Sequence, residues 1–140
     1  MPIRDQAAME RSLDNDYGST RGPNAPDSFE VMLLDSFGVE IDDVSLDEDG
    51  ITEIPNGYAR ATHDNDDWLP AAEGVKVSGT VTFPAPTAEW ETAVYRALID
   101  PLTNQRWDYA PLADPLDVSG AGSGTPTLVM TVFYDDNLDL

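Results

Sequence analysis

Between Val75 and Phe83 the chain reads Val-Lys-Val-Ser-Gly-Thr-Val-Thr-Phe, with an apolar residue or glycine at every odd position and a polar residue at every even one. A repeat of two belongs to an extended strand, whose successive side chains point to opposite faces. It does not fit the 3.6-residue turn of a helix. The alternation returns at Phe29, Val31 and Leu33, and again at Val39 and Ile41. Gly57–His63, Arg106–Leu112 and Thr127–Tyr134 are further candidate strands, rich in β-branched and aromatic residues. Turn pairs separate them, Asp49-Gly50, Asn56-Gly57 and Glu73-Gly74 being the clearest. The expected fold is all-β: an antiparallel β-sandwich or small barrel of about seven to eight strands. Only the stretch from Trp90 to Ile99 is ambiguous, because Trp90, Val94 and Leu98 also fall at helical spacing after Thr87.

The first 27 residues do not share this pattern. Pro2, Ile3, Ala7, Met9, Leu13 and Tyr17 permit a short helix with a weak apolar stripe. After Gly18 the text becomes Ser-Thr-Arg-Gly-Pro-Asn-Ala-Pro-Asp, which is linker chemistry. The expected organisation is therefore an N-terminal arm or linker over 1–27 and a β-sandwich domain over 28–140. A segment of this composition reads either as a frayed tail or as a short helical or extended arm that reaches a neighbouring subunit, and the arm is the working expectation. Ser119–Gly124 reads as a flexible loop before the final strand.

Charge limits the partners. With 27 acidic against 7 basic side chains the formal charge is −20, so nucleic acid is not an expected partner, since that contact needs Lys and Arg to neutralise phosphates. The single lysine, Lys76, and the preference for Asp over Glu, 19 to 8, leave two explanations open. One is solubility and self-avoidance. The other is adaptation to high salt, where screening over a few ångström removes the self-repulsion. No apolar run approaches the roughly 20 residues of a membrane-spanning helix, and no apolar stretch follows Arg4 and Asp5, so neither a membrane span nor a secretory signal is expected. The chain has no cysteine, which removes disulfides, thiolate metal sites and thiol nucleophiles.

Catalytic groups are scarce. His63 is the one histidine, set between Thr62 and Asp64, and it reads as a surface residue of an acidic loop that continues through Asn65, Asp66 and Asp67. Gly120, Gly122 and Gly124 precede a strand rather than a helix, so no phosphate loop is formed. Ser45-Leu46-Asp47-Glu48-Asp49-Gly50 resembles the first half of a calcium loop, but its first position is Ser45 and its twelfth is Asn56 where that loop needs Asp and Glu. With Asp42 and Asp43 nearby, it reads better as an acidic hairpin turn with Asp49-Gly50 at its tip. No catalytic, cofactor-binding or metal-ligating residue is assigned, and no cofactor is expected. Trp68, Trp90 and Trp107 read as core anchors; a sugar-binding module would instead need at least one of them in solvent beside polar groups.

The order Thr52-Glu53-Ile54-Pro55-Asn56-Gly57-Tyr58-Ala59-Arg60, Trp68, Gly79–Pro84 with Thr87-Ala88-Glu89-Trp90, Ala97-Leu98-Ile99-Asp100, Ala110-Pro111-Leu112 and Val118-Ser119-Gly120 resembles a family of small virion proteins of tailed viruses, of the tail-fibre-like or head-decoration-like kind. The resemblance spans about residues 29–135. Trp90-Glu91 departs from the family's frequent Trp-Gly step, and Leu102-Thr103-Asn104 from its Gly-Gly turn. The resemblance favours a turn or helical loop over Thr87–Thr92 followed by a strand over Ala93–Asp100. On physical grounds Tyr58, Phe83, Trp90 and Ile99 are expected in the core, and Arg60 is expected to pair with one of the many carboxylates. The resemblance further implies a non-enzymatic structural protein on the outer surface of the virion head, or on the tail, where it decorates or cements the capsid. Its partners would be the major capsid protein or other virion proteins. It would act as a symmetric homo-oligomer, with residues 1–27, which lie outside the match, as the binding arm; salt, bound cations or the arm's Arg4, Arg11 and Arg21 would offset the repulsion between acidic neighbours. The alternatives are a tail-fibre or baseplate-associated protein and a carbohydrate-binding module for host attachment.

Overall fold

The structure, a computed structural model, describes residues 6–133; Pro2, Ile3, Arg4 and Tyr134 lie outside them. The fold is all-β, as the alternation predicts, with one helix and eight strands among the described residues: α1 (Gln6–Asp16), β1 (Ser28–Leu34), β2 (Val44–Leu46), β3 (Glu53–Pro55), β4 (Ala61–Asp64), β5 (Val75–Thr82), β6 (Ala93–Asp100), β7 (Gln105–Leu116) and β8 (Thr127–Phe133). They form antiparallel sheets of order β4-β1-β6-β7, β2-β3 and β5-β8. The ambiguous stretch after Thr87 is an irregular loop followed by β6, because β6 lies between two partner strands that take up its backbone groups. Val39 and Ile41 fall outside the strands; Glu40 makes only an isolated bridge to Leu34.

Two compact units divide the chain. One comprises Phe29–Thr62 and Thr82–Leu128; the other comprises His63–Val81 with the described residues before Phe29 and after Leu128. In the first, Val31 lies opposite Leu98 and Leu33 opposite Arg96, so these residues share a face with Phe29. Phe29, Val31, Leu33 and Leu98 are fully buried there. On the reverse face Leu34, Ala97 and Ile99 form a second buried cluster, with Met32 and Tyr95 packed against it. Cover on both faces explains why β6 does not alternate, its buried residues running unbroken from Arg96 to Ile99. Each buried Val, Leu, Ile or Phe side chain contributes about 1.5–3 kcal/mol by leaving water.

The motif residues of this unit are joined by hydrogen bonds. Asn56, fully buried, donates from Nδ2 to the Asp42 carbonyl (2.9 Å) and accepts from the Tyr58 amide (2.9 Å). Its own carbonyl accepts from the Thr87 amide (2.9 Å) and from Trp90 Nε1 (2.7 Å). Trp90 meets Tyr58 and Phe83 edge to face, with centroids 5.4 and 6.5 Å apart. Gly57 takes φ +85°, and a Cβ there would stand 2.6 Å from the Ala85 carbonyl oxygen, so the Asn-Gly step is required by close approach as well as by the turn. Tyr58, Phe83, Trp90 and Ile99 are all buried, as expected of core residues.

In the other unit, the described part of the segment expected as an arm packs against the unit's own residues. Leu13 and Tyr17 are buried, and the Tyr17 ring meets Trp68 at 4.9 Å. The Lys76 ammonium donates to Asp14 Oδ1 and to the Tyr17 carbonyl, each at 2.7 Å, and so neutralises the C-terminal end of α1. The alternation in β5 places Lys76 on the polar face, expected in solvent. The structure has Lys76 only 4% exposed and Ser78 likewise buried, because the ammonium reaches α1 and Ser78 Oγ accepts the Met130 amide of β8 (2.9 Å). Beyond Gly79 the parity reverses, and Val81 is the buried residue.

Candidate functional site

The loops of Phe29–Thr62 and Thr82–Leu128 repeat one local device. Asp35 Oδ1 accepts the Phe37 amide (2.8 Å), Asp49 Oδ1 the Ile51 amide (2.8 Å) and Asp100 Oδ1 the Leu102 amide (3.0 Å). In each case an Asp two residues upstream fixes the backbone of an apolar residue, in the manner of an Asx turn. The held side chains stand in solvent: Phe37 is 88% exposed, Ile51 82% and Leu102 92%. The Asp49 carboxyl sits below its ordinary pKa because the Thr52 and Ile51 amides and the Thr52 hydroxyl donate to it. It stays charged while it holds the turn.

The Asp49 tip belongs to the hairpin β2-β3, in which Val44 pairs with Pro55 and Leu46 with Glu53. An acidic hairpin turn is what the sequence predicts there. Every residue from Leu46 to Glu53 is exposed, and four of them are carboxylates: Asp47, Glu48, Asp49 and Glu53. Asn56 ties the hairpin's base down through Asp42 and Ser45. Among the described residues no three His, Asp or Glu come together to hold a metal ion.

β7 is the outer strand of its sheet, and its edge is poorly suited to receive another strand. Pro111 and Pro115 have no amide to donate, and the pairing slips between Leu98↔Asp108 and Ile99↔Arg106, which leaves Trp107 as a bulge. Its side chains form the surface instead. Tyr109 stacks on Tyr95 (5.2 Å, 18°), and the Arg106 guanidinium lies 4.9 Å from the Tyr109 ring centre. Trp107 is 36% exposed, with part of its ring 6.2 Å from buried Phe29.

Compared with protein-family models, curated proteins and solved structures, this chain matches none.

The residues weighed from sequence separate as follows. His63 is buried rather than on the surface; its ring meets Trp68 edge to face at 5.3 Å and its Nε2 lies 3.0 Å from the Asp67 carbonyl. Burial pushes the imidazole pKa down, against the pull of the Asp67 carbonyl and the Asp67 and Asp64 charges. Asn65 turns inward too. It donates from Nδ2 to the Asp16 and Pro26 carbonyls (3.1 and 2.6 Å) and accepts from Trp68 Nε1 (2.9 Å). The loop read as uniformly solvated is thus alternately a brace and a surface, because strand parity carries from β4 into it. Arg60 does pair with carboxylates: its Nε lies 3.0 Å from Glu40 Oε2 and its Nη1 3.0 Å from Glu30 Oε1. Tyr58 Oη donates to the same Glu40 oxygen (2.7 Å). Burial alone would raise the Glu40 carboxyl, but the hydrogen bonds from Arg60 and Tyr58 and the Arg60 charge leave it below its ordinary pKa. Of the three tryptophans, Trp90 is a core anchor, Trp68 is half-buried and Trp107 is exposed. The three Asp-held tips escaped the sequence reading, although the spacing of Asp35 and Phe37, Asp49 and Ile51, and Asp100 and Leu102 was there to be found.

Proposed function

We propose that the chain is a non-enzymatic structural protein of a tailed-virus particle, a decoration or cement subunit that binds the outer shell beside the major capsid protein as a symmetric oligomer. The observation that carries this reading is the set of three rigidly held apolar tips, Phe37, Ile51 and Leu102. Exposed apolar groups on hydrogen-bonded loops suit contact with other proteins. The motifs behind the resemblance support it as well, since Asn56, Thr87 and Trp90 brace the fold through the Asn56 carbonyl. The described part of residues 1–27 is engaged inside its own unit through Leu13, Tyr17 and Asp14, so the proposed contact moves from the arm to the tips. Arg21, Arg60, Lys76 and Arg96 are taken up by internal carboxylates, which fits a protein that does not bind nucleic acid.

Separating heads from tails in purified particles and measuring the chain in each fraction tests the proposal. Enrichment with heads is expected; copies confined to the tail would refute the decoration role in favour of a tail-fibre or baseplate protein. Trp107 favours a second reading, a carbohydrate-binding surface, because its indole is 36% exposed. Binding to a glycan panel that disappears in Trp107→Ala would support that reading. The acidic surface suits a protein of a high-salt environment, and full stability at low ionic strength would end that idea.

A further inference from the structure

Two features of Phe29–Thr62 and Thr82–Leu128 stand in solvent beyond the contacts that anchor them. The β2-β3 hairpin has strands of three residues and is fully exposed from Leu46 to Glu53. A two-stranded ribbon of this kind is marginal in water, yet it presents Leu46 at 60% and Ile51 at 82% exposure between four carboxylates and no base. The second feature is the Tyr95–Tyr109–Arg106 surface. Arg60 and Arg96 have carboxylate partners, whereas Arg106 is the one cation of this unit with no ion pair among the described residues; it lies on an aromatic ring instead. The hairpin is acidic and apolar, and the surface is cationic and aromatic.

We propose that the β2-β3 hairpin of one copy docks on the Tyr95–Tyr109–Arg106 surface of a second copy. Ile51 packs against the tyrosine pair, and the Glu48 or Asp49 carboxylate meets Arg106. The hairpin and the surface are different parts of one chain, so the contact is head to tail and repeats from copy to copy, closing where the rotation permits. Pro111, Pro115 and the bulge at Trp107 direct the contact to side chains on the sheet face and away from strand addition. The total charge of −20 opposes any approach of two copies, so association strengthens as salt screens it. The proposal deepens the oligomer of the reading above without depending on the virion, and its test needs only the isolated protein.

The experiment is sedimentation velocity of the full chain over a range of protein concentrations, from about 0.1 to 2 M NaCl. Concentration-dependent oligomers that grow with salt are expected. Ile51→Asp and Arg106→Glu should each weaken association at least about tenfold while leaving the far-ultraviolet circular dichroism unchanged, since both residues are exposed. A mixture of the two variants keeps one intact hairpin and one intact surface, so it should form dimers that neither variant forms alone. A protein monomeric at every salt concentration overturns the proposal. So does an oligomer indifferent to Arg106→Glu, or a mixture of variants that stays monomeric.

Discussion

Replacing Asp14 by alanine strands a positive charge. The Lys76 ammonium is almost wholly buried, and its carboxylate partner would be gone, leaving only the Tyr17 carbonyl at 2.7 Å. Breaking a fully buried ion pair from one side costs about 3–5 kcal/mol. The Asp14 side chain is 48% exposed, which admits water to the pair, so about 2–4 kcal/mol is expected. Lys76→Met removes the other partner with a different consequence. Asp14 returns to water, the methionine stem fills the lysine's place, and the main loss is the hydrogen bond to the Tyr17 carbonyl, about 1–2 kcal/mol. Asp14→Ala should therefore be the worse of the two, and Lys76→Met in its background should recover part of the loss. Urea unfolding followed by tryptophan fluorescence is a direct assay, since Trp68 packs on Tyr17 next to the pair. A Lys76→Met deficit as large as that of Asp14→Ala, or a double variant no more stable than Asp14→Ala alone, would refute the reasoning.

Gly57→Ala should cost at least about 2 kcal/mol in the same assay, because its Cβ meets the Ala85 carbonyl at a positive φ. Trp90→Phe should cost about 2–3 kcal/mol, from the lost Nε1 hydrogen bond to the Asn56 carbonyl and the smaller ring, although that carbonyl keeps the Thr87 amide. His63 is held neutral by burial, with its folded pKa below the ordinary value of about 6.5. The unfolded chain therefore takes up a proton first as pH falls through about 6.5, and stability declines by at most about 1.4 kcal/mol per pH unit. His63→Gln should flatten the stability profile between about pH 5 and 6.5, where no other side chain of ordinary pKa titrates.

Most strands can be found in this sequence from a period of two. Phe29, Val31 and Leu33, the β5 stretch from Val75 and the Asp49 hairpin are where the pattern places them, whereas Val39 and Ile41 alternate but form no strand. The Asn-Gly step and the Thr-x-x-Trp spacing also mark a real junction, joined at the Asn56 carbonyl. Alternation states that two faces of a strand differ but not which one is covered. Lys76 and Ser78 are buried because α1 and β8 offer them partners, and those partners are distant in the chain. His63 and Asn65 turned inward for the same reason, and Trp107 turned outward because a bulge depends on the register with β6. The segment before Ser28 is polar enough to read as an arm, and only the position of Lys76 shows how its helix is held. Local pattern and turn chemistry determined which segments extend, although β4 begins at Ala61 rather than Gly57 and β7 runs from Gln105 to Leu116 beyond the expected Arg106–Leu112; the burial of charge, the docking of α1 and the exposed tips were decided by long-range partners, since the cost of burying a polar group depends on what it meets.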